Sequence, residues 1–433
     1  MLAHPRAGRT PRHAAPGLDE PGVLPRPDAS TRLPRGVLLL LGSRPRPLRA
    51  LRPLLLLGVR SLVEGPAGVQ GVRRSPLRPG ETRLMRIAVC HPQAPFMAGG
   101  AEGHVRGLIA ALREAGHDAE TVSMPFKWYP PSELVHQMGG WRSVDLSESN
   151  GEPIDLVVAL KFPAYLVRHP NKVVWLIHQH RTAYELWDDP ELGDIVGYPD
   201  GAVVRSLIHS ADRLALGEAS RLFTNSENVR GRLDRSIGLD AEVLYHRSPL
   251  TDRLLAEDPR PLGDAIVFPS RFDRLKRQGL AIDAMRQVGT DVRLILVGSG
   301  AERDAIAKRV AEAGLGERVE MRERVPDDEL LRLYLGSLAV YFGPLDEDYG
   351  YVTIEGMAAA RPVVVTSDSG GPLEFVHDEE NGSIVDPEPE AIAAAFDRLF
   401  NDRQRARRMG SAGRTFVTGH VPPWPEVVRR LVG

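Results

Sequence analysis

The feature that most constrains this chain is an alternation, run through twice, of short β-rich apolar stretches with segments whose apolar residues repeat at helical spacing. "RIAVCHP" at 86–92 ends in turn residues and leads through the loop "QAPFMAGGAE" into a segment where Val105, Leu108, Ile109 and Leu112 share a helix face, stopped by Gly116. Comparable runs follow in "PIDLVVAL" at 153–160, "KVVWLIHQH" at 172–180 and "RLFTNSENVRGRL" at 221–233. After the polar, Pro-containing stretch at 251–264 the pattern restarts with "AIVFPSRF", "VRLILVGSG", "RVEMRERV", "LAVYFGP" and "PVVVTS". Helices are expected between them near 277–287, 301–313 and 327–336, with a further one near 388–400. Parallel strands buried on both faces read as continuous apolar runs, and alternation with helices calls for helices on both sides of the sheet. The expected fold class is therefore α/β, with two Rossmann-like doubly wound domains, 85–263 and 264–412, facing a cleft. Ligands in such sheets sit beyond the carboxyl ends of the strands, which assigns the cleft to loops 91–102, 178–184, 269–277, 298–303 and 343–352.

Charge separates the first 84 residues from this body. They hold 15 Arg, no Lys and 5 acidic residues, whereas the remainder is acidic, with 40 basic against 52 acidic residues. A disordered Arg/Pro-rich extension is expected over 1–84, with Met85 as the start of the folded part. Its apolar runs at 37–41 and 54–59 are separated by Arg44, Arg46, Arg49 and Arg52, which leaves no stretch long enough to span a bilayer. The acidic body excludes nucleic acid as an expected partner. A single cysteine, Cys90, excludes intrachain disulfides and suits a reducing compartment.

Several constellations could carry chemistry. Glu347 and Glu355 stand eight positions apart in "DEDYGYVTIEG", the first in a loop and the second on the small, apolar face of a helix that begins near Tyr351. A carboxylate beside a packed segment needs hydrogen-bond donors from protein or ligand. A ribose diol suits Glu355, and a neighbouring sugar ring suits Glu347, which could otherwise be an ordinary exposed acid. Gly350 allows close backbone approach at the helix start, so Gly350 and Tyr351 join the substrate-binding candidates. In "SRFDRLKRQGL", Arg271 and Lys276 are placed to grip a diphosphate, while Arg274 and Arg277 are expected in solvent. Gly99 and Gly100 form a candidate anion loop at a helix start, though no GxGxxG fingerprint is present. His178, at a strand end, is preferred over His180 as a site residue. Asp346 and Asp348 spell a metal-binding DxD, but no other oxygen ligands cluster near them in sequence.

Taken together these residues resemble family 4 of the retaining, two-domain (GT-B fold) glycosyltransferases, over about 85–433 and most densely over 264–390. The family's paired-glutamate motif is matched by Glu347 and Glu355, its Arg and Lys by "SRFDRLK", and its later segments by "LILVGSGAER", "RPVVVTSDSGGPLEF" and "NGSIVDP". In the amino-terminal half "GGAE" and "TNSENVRGRL" also fit, whereas "YHRSP" at 245–249 and Ala360, where glycine is common, depart from the pattern. The resemblance implies transfer of a hexosyl group from a nucleoside diphosphate sugar, a GDP-mannose or UDP-hexose, to an acceptor hydroxyl on a glycan, lipid or small molecule. It implies no cofactor and no obligatory metal. Catalytic roles would fall to Glu347, Arg271, Lys276 and His178, and substrate binding to Glu355, Gly99 and Gly100. A C-terminal helix within 413–433 would return to the first domain. The implied location is cytoplasmic, and peripheral contact with the inner membrane face stays open. A nucleotide-sugar epimerase or hydrolase on the same fold, or a non-catalytic subunit of this shape, are the competing functions.

Overall fold

The computed structural model describes residues 84–97 and 99–433. The extension expected over 1–84 lies, apart from Leu84, outside the described residues. The first domain carries β1 (Arg86–Gln93), α1 (Gly100–Glu114), β2 (Asp118–Pro125), α2 (Ser132–Ser143), β3 (Leu156–Ala159), β4 (Lys172–Leu176), α3 (Gly201–Gly217), β5 (Arg221–Thr224), α4 (Glu227–Ile237) and β6 (Glu242–Val243). Its strands form one parallel sheet in the order β2-β1-β3-β4-β5-β6. The central strands read as apolar runs because both faces are covered: all four residues of β3 and all five of β4 are buried.

The second domain begins earlier than residue 264. α5 (Thr251–Ala256) lies in the stretch taken for a polar linker, yet Leu250 and Leu254 are buried with Leu331, Tyr334 and Ile354. Then follow β7 (Ala265–Pro269), α6 (Gln278–Met285), β8 (Arg293–Val297), α7 (Arg303–Glu312), β9 (Val319–Arg322), α8 (Asp327–Gly336), β10 (Ala339–Tyr341), α9 (Tyr351–Ala358), β11 (Val363–Thr366), β12 (Gly382–Val385) and α10 (Pro389–Asn401). These strands form a second parallel sheet, β9-β8-β7-β10-β11-β12. Strand order reverses between β1 and β3 in the first sheet and between β7 and β10 in the second. Those two switch points are where loops diverge and leave room for a ligand.

α9 shows how local sequence sets an element end. Arg361 N–H donates to Gly356 O at 2.9 Å and Ala360 N–H to Met357 O at 2.9 Å, the two bonds of a Schellman turn. Ala360 itself takes a left-handed φ of 58°, the reason glycine is common at that position.

The chain does not return to the first domain at residue 413. α11 (Arg403–His420) runs unbroken against α9, and only after Pro422 and Pro423 does α12 (Trp424–Val432) cross back. The prolines end α11, since neither can donate a helical hydrogen bond. Trp424, Val427, Val428 and Leu431 are buried in the first domain's core beside Leu108 and Trp175, each contributing about 1.5–3 kcal/mol. Arg221 donates to the Arg430 carbonyl at 2.8 Å and fixes the far end. Among the described residues, no helix is long and apolar enough to cross a membrane.

The seat for Trp424 is Gly107 on α1: a Cβ there would stand 2.5 Å from the indole Cζ2. Gly107→Ala is therefore expected to destabilise the protein by about 1–3 kcal/mol through overpacking, measured as a lowered urea midpoint. An unchanged midpoint would mean that α12 is not seated on α1.

Candidate active site

On the second domain the site is built from the loops after β7 and β10. Asp273 accepts a hydrogen bond from Leu275 N–H at 2.9 Å and sets a short 3-10 turn, which places Lys276 beside Glu347. The Lys276 ammonium and the Glu347 carboxylate form a direct ion pair, both side chains mostly buried. Arg271 is freer, with its nearest carboxylate, Asp273, at 3.8 Å. Arg274 is exposed, but Arg277 is not in solvent as expected. Its guanidinium binds both oxygens of Asp368 at 2.7 Å and the carbonyls of Gly343 and Pro344 at 2.9 Å. An arginine with so many acceptors is a staple holding the loop that carries Glu347.

Gly350 opens α9 with φ 89°, and a Cβ there would meet Pro372 Cγ at 2.7 Å, so the glycine is required by the turn and by the proline behind it. Tyr351 follows, its hydroxyl 2.5 Å from His246 Nε2 in the interdomain linker. Glu355 has donors within the protein. Its two oxygens accept hydrogen bonds from protein: Ser248 Oγ donates at 2.6 Å and Tyr334 OH at 2.7 Å. The donors that the sequence leaves to a ribose diol are thus a linker serine and a tyrosine of α8. Burial pushes the Glu355 carboxyl up to about 7, against the pull of those two hydrogen bonds.

The first domain faces this surface with Gly99 and Gly100. A Cβ on Gly99 would lie 3.7 Å from Arg271 Cδ, and one on Gly100 3.6 Å from the Tyr351 ring, so the glycine loop touches the second domain's candidates across the cleft. Gly99 N–H donates to Glu102 Oε2 at 2.6 Å. Burial works against the Glu102 charge, but His91, Lys161 and the peptide N–H groups hold its carboxyl at about 2. His178 lies at the end of β4 with Nδ1 2.6 Å from the Gln179 carbonyl. A carbonyl only accepts, so Nδ1 carries the proton and Nε2 is left as an acceptor. Burial lowers its pKa while Asp348 opposes the change, and the ring is neutral at pH 7. His180 is half-buried like His178, its pKa lowered to about 3 by burial, and it bonds Thr182.

Sequence reasoning missed the groups that join the two sides. Arg232 of α4 donates to Asp348 Oδ1 at 2.5 Å and pairs with Asp346 Oδ1 at 2.8 Å. Arg181 donates to the Asp346 carbonyl at 3.0 Å, and Asn228 Nδ2 to Asp346 Oδ1 and the Glu347 carbonyl, both at 2.9 Å. Burial raises the Asp348 carboxyl, but Arg181 and Arg232 outweigh it and hold it well below the usual range. The Asp346 and Asp348 pair is thus engaged by guanidinium groups. Glu374 of the second domain caps α4 by accepting from Glu227 N–H at 2.9 Å and Asn228 N–H at 2.8 Å. On the first-domain side, Asp212 accepts from Tyr165 at 2.8 Å, Tyr184 at 2.7 Å and Gln179 at 3.0 Å, and so braces the loop that carries His178 and Arg181.

Residues 260–416 match the family described as glycosyl transferases group 1. The chain is 34% identical over 364 residues to an uncharacterized glycosyltransferase of Methanocaldococcus jannaschii, covering 73% of this chain and 90% of the relative. It is 29% identical over 371 residues to the alpha-maltose-1-phosphate synthase of Mycolicibacterium smegmatis, covering 76% and 94%. Its fold is similar to that of the sucrose-phosphate synthase of Thermosynechococcus elongatus, with TM-score 0.65 and 20% identity over 80% of this chain and 97% of the other.

The buried Glu355 makes stability depend on pH. The folded state holds its proton with a value of about 7 against an ordinary 4.5, so protonation favours folding, and that stabilisation fades as pH rises from about 4.5 to about 7. Stability measured by urea unfolding is expected to fall further between pH 4.5 and pH 7.5 in the wild type than in Glu355→Gln, by up to about 3 kcal/mol. Parallel declines would remove Glu355 as the titrating group.

Proposed function

The chain belongs to the group 1 glycosyltransferases, and we propose that it moves a hexosyl group, with retention, from a nucleoside diphosphate sugar (GDP-mannose or a UDP-hexose) to an acceptor hydroxyl. The observation that carries this reading is the approach of Gly99 to Arg271 and of Gly100 to Tyr351 across the cleft, with Lys276 and Glu347 paired on the second domain. A diphosphate leaving group needs positive charge where its own charge grows, and preorganised cations supply it without a metal. Lys276 has three N–H donors, so it can keep Glu347 and still bind a phosphate oxygen. Arg271, only loosely paired with Asp273 at 3.8 Å, takes the other phosphate in a fork.

In the reaction the bond from the anomeric carbon to the phosphate oxygen breaks. The bond to the acceptor oxygen forms on the same face, and the acceptor proton passes to the departing phosphate. Glu347 accepts from the sugar hydroxyls and His178 Nε2 from another, which together orient the ring. Gly99 and Gly100 admit the substrate closely because they carry no side chain. Glu355 acts from behind, through Ser248 and Tyr334, to keep α9 and the linker in place. Cys90 is buried and its thiol is pushed up to about 12 by that burial, which makes it unreactive.

Lys276→Ala is expected to lower kcat by about 10²–10³, the loss typical of one transition-state donor, with the circular dichroism spectrum of the folded protein retained below a lowered thermal midpoint. Turnover would be followed as release of UDP or GDP from a panel of donor sugars, with and without acceptor sugars. Unchanged turnover in the variant would defeat the assignment, and release that ignores the acceptor would mark a hydrolase.

A further inference from the structure

Two lysines in the first domain are nearly buried, and they differ in one respect. Lys172 Nζ donates to the carbonyls of Ala215 at 2.8 Å, Tyr165 at 3.1 Å and Val167 at 3.2 Å, and lies 3.5 Å from Glu218. Its charge is fully served by protein. Lys161, just past the end of β3, has a side chain only 15% exposed, yet among the described residues its ammonium makes no hydrogen bond. Its nearest carboxylate oxygen, on Glu102, is 3.9 Å away. A half-paired ammonium with little access to water keeps N–H donors that an incoming anion can take up.

The surroundings locate that anion. Lys161 stands at the first sheet's own switch point, between the ends of β1 and β3, and it interacts electrostatically with Arg271 and Asp348 of the second domain, so it faces the cleft. Both neighbouring carboxylates are shared with other groups. Glu102 already accepts Gly99 N–H at 2.6 Å and has His91 at 3.5 Å, and Asp348 is engaged by Arg232. His91, buried at the end of β1, has Glu102 Oε1 at 3.5 Å but, among the described residues, no hydrogen bond on either ring nitrogen, a second under-served polar group in the same corner. The donor diphosphate has cations of its own on the second domain in Arg271 and Lys276. Lys161 remains for the other substrate.

We propose that Lys161 forms an acceptor subsite for an anionic group, so that the acceptor is a hydroxyl compound bearing a phosphate or a carboxylate. The proposal rests on the reading of the cleft as a nucleoside diphosphate sugar site. In it the ammonium of Lys161 binds the anion directly, and Glu102 and His91 set the position of the lysine.

The test uses the full chain, first titrated with UDP and GDP, then, with the nucleotide that binds held at saturation, titrated with inorganic phosphate and separately with acetate, heat being recorded by calorimetry. Saturating nucleotide blocks Arg271 and Lys276, so any further anion binding reports on another site. Wild type is expected to bind one of the two anions, phosphate pointing to a phosphorylated acceptor and acetate to an acidic one. Lys161→Met should weaken that Kd at least tenfold, and Lys161→Arg should keep it within about threefold. Nucleotide Kd should stay within twofold in both variants. Absence of anion binding in the wild type, or an equal Kd in Lys161→Met, overturns the subsite while leaving the transferase reading intact. Loss of nucleotide binding in Lys161→Met assigns the lysine to the donor and also overturns it. Failure of UDP and GDP alike to bind wild type removes the donor reading and the subsite together.

Discussion

Much of the site depends on guanidinium groups holding one loop from two sides. Arg277 grips the 343–344 backbone and Asp368 within the second domain, and Arg232 and Arg181 reach the same loop from the first domain at Asp346 and Asp348. Glu347 sits between these anchors. Its place beside Lys276 is therefore set by charges that belong to both domains, and separating the domains would take the loop's first-domain partners away. Arg232 is almost entirely buried, and removing one partner of such a pair typically costs about 3–5 kcal/mol because the other charge is stranded.

The two sheets were legible because buried parallel strands leave a plain trace: β3, β4, β8 and β11 are apolar along most of their length. β2 left no such trace, since it is an edge strand with mostly solvated side chains. α2 interrupts its apolar positions with Gly139 and Gly140. α3 was readable and passed over, for Val204, Ile208 and Ala215 recur at helical spacing. In the site, Arg271, Lys276, Glu347 and the glycines stand where strand-end loops put them. Arg181 and Arg232 could not be found the same way: their meaning comes from Asp346 and Asp348, more than a hundred positions away in the chain. The uneven use of arginines in "SRFDRLKR" was also hidden, since Arg274 and Arg277 have the same side chain and only the left-handed turn at Arg277 sends its guanidinium inward.

Glu355 illustrates a limit of motif reasoning. A carboxylate on a small, apolar helix face does need donors, and that argument holds. The identity of the donors depended on the linker, where Ser248 sits in the one segment, 245–249, that departs from the family's usual pattern. Tyr349 reinforces the same junction, donating to the His246 carbonyl at 2.6 Å and accepting from its N–H at 2.8 Å. The helix behind the candidate sugar site is thus fastened to the hinge between the domains.

The return of α12 to the first domain has a consequence for how the protein is made. The wall of that domain formed by Trp424, Val427 and Leu431 leaves the ribosome only after the whole second domain. Until then Leu108 and Trp175 lack a cover that the finished protein gives them, and the amino-terminal half waits on the carboxyl terminus for completion. A stop codon just before Trp424 would leave the second domain's α11 whole and the first domain open.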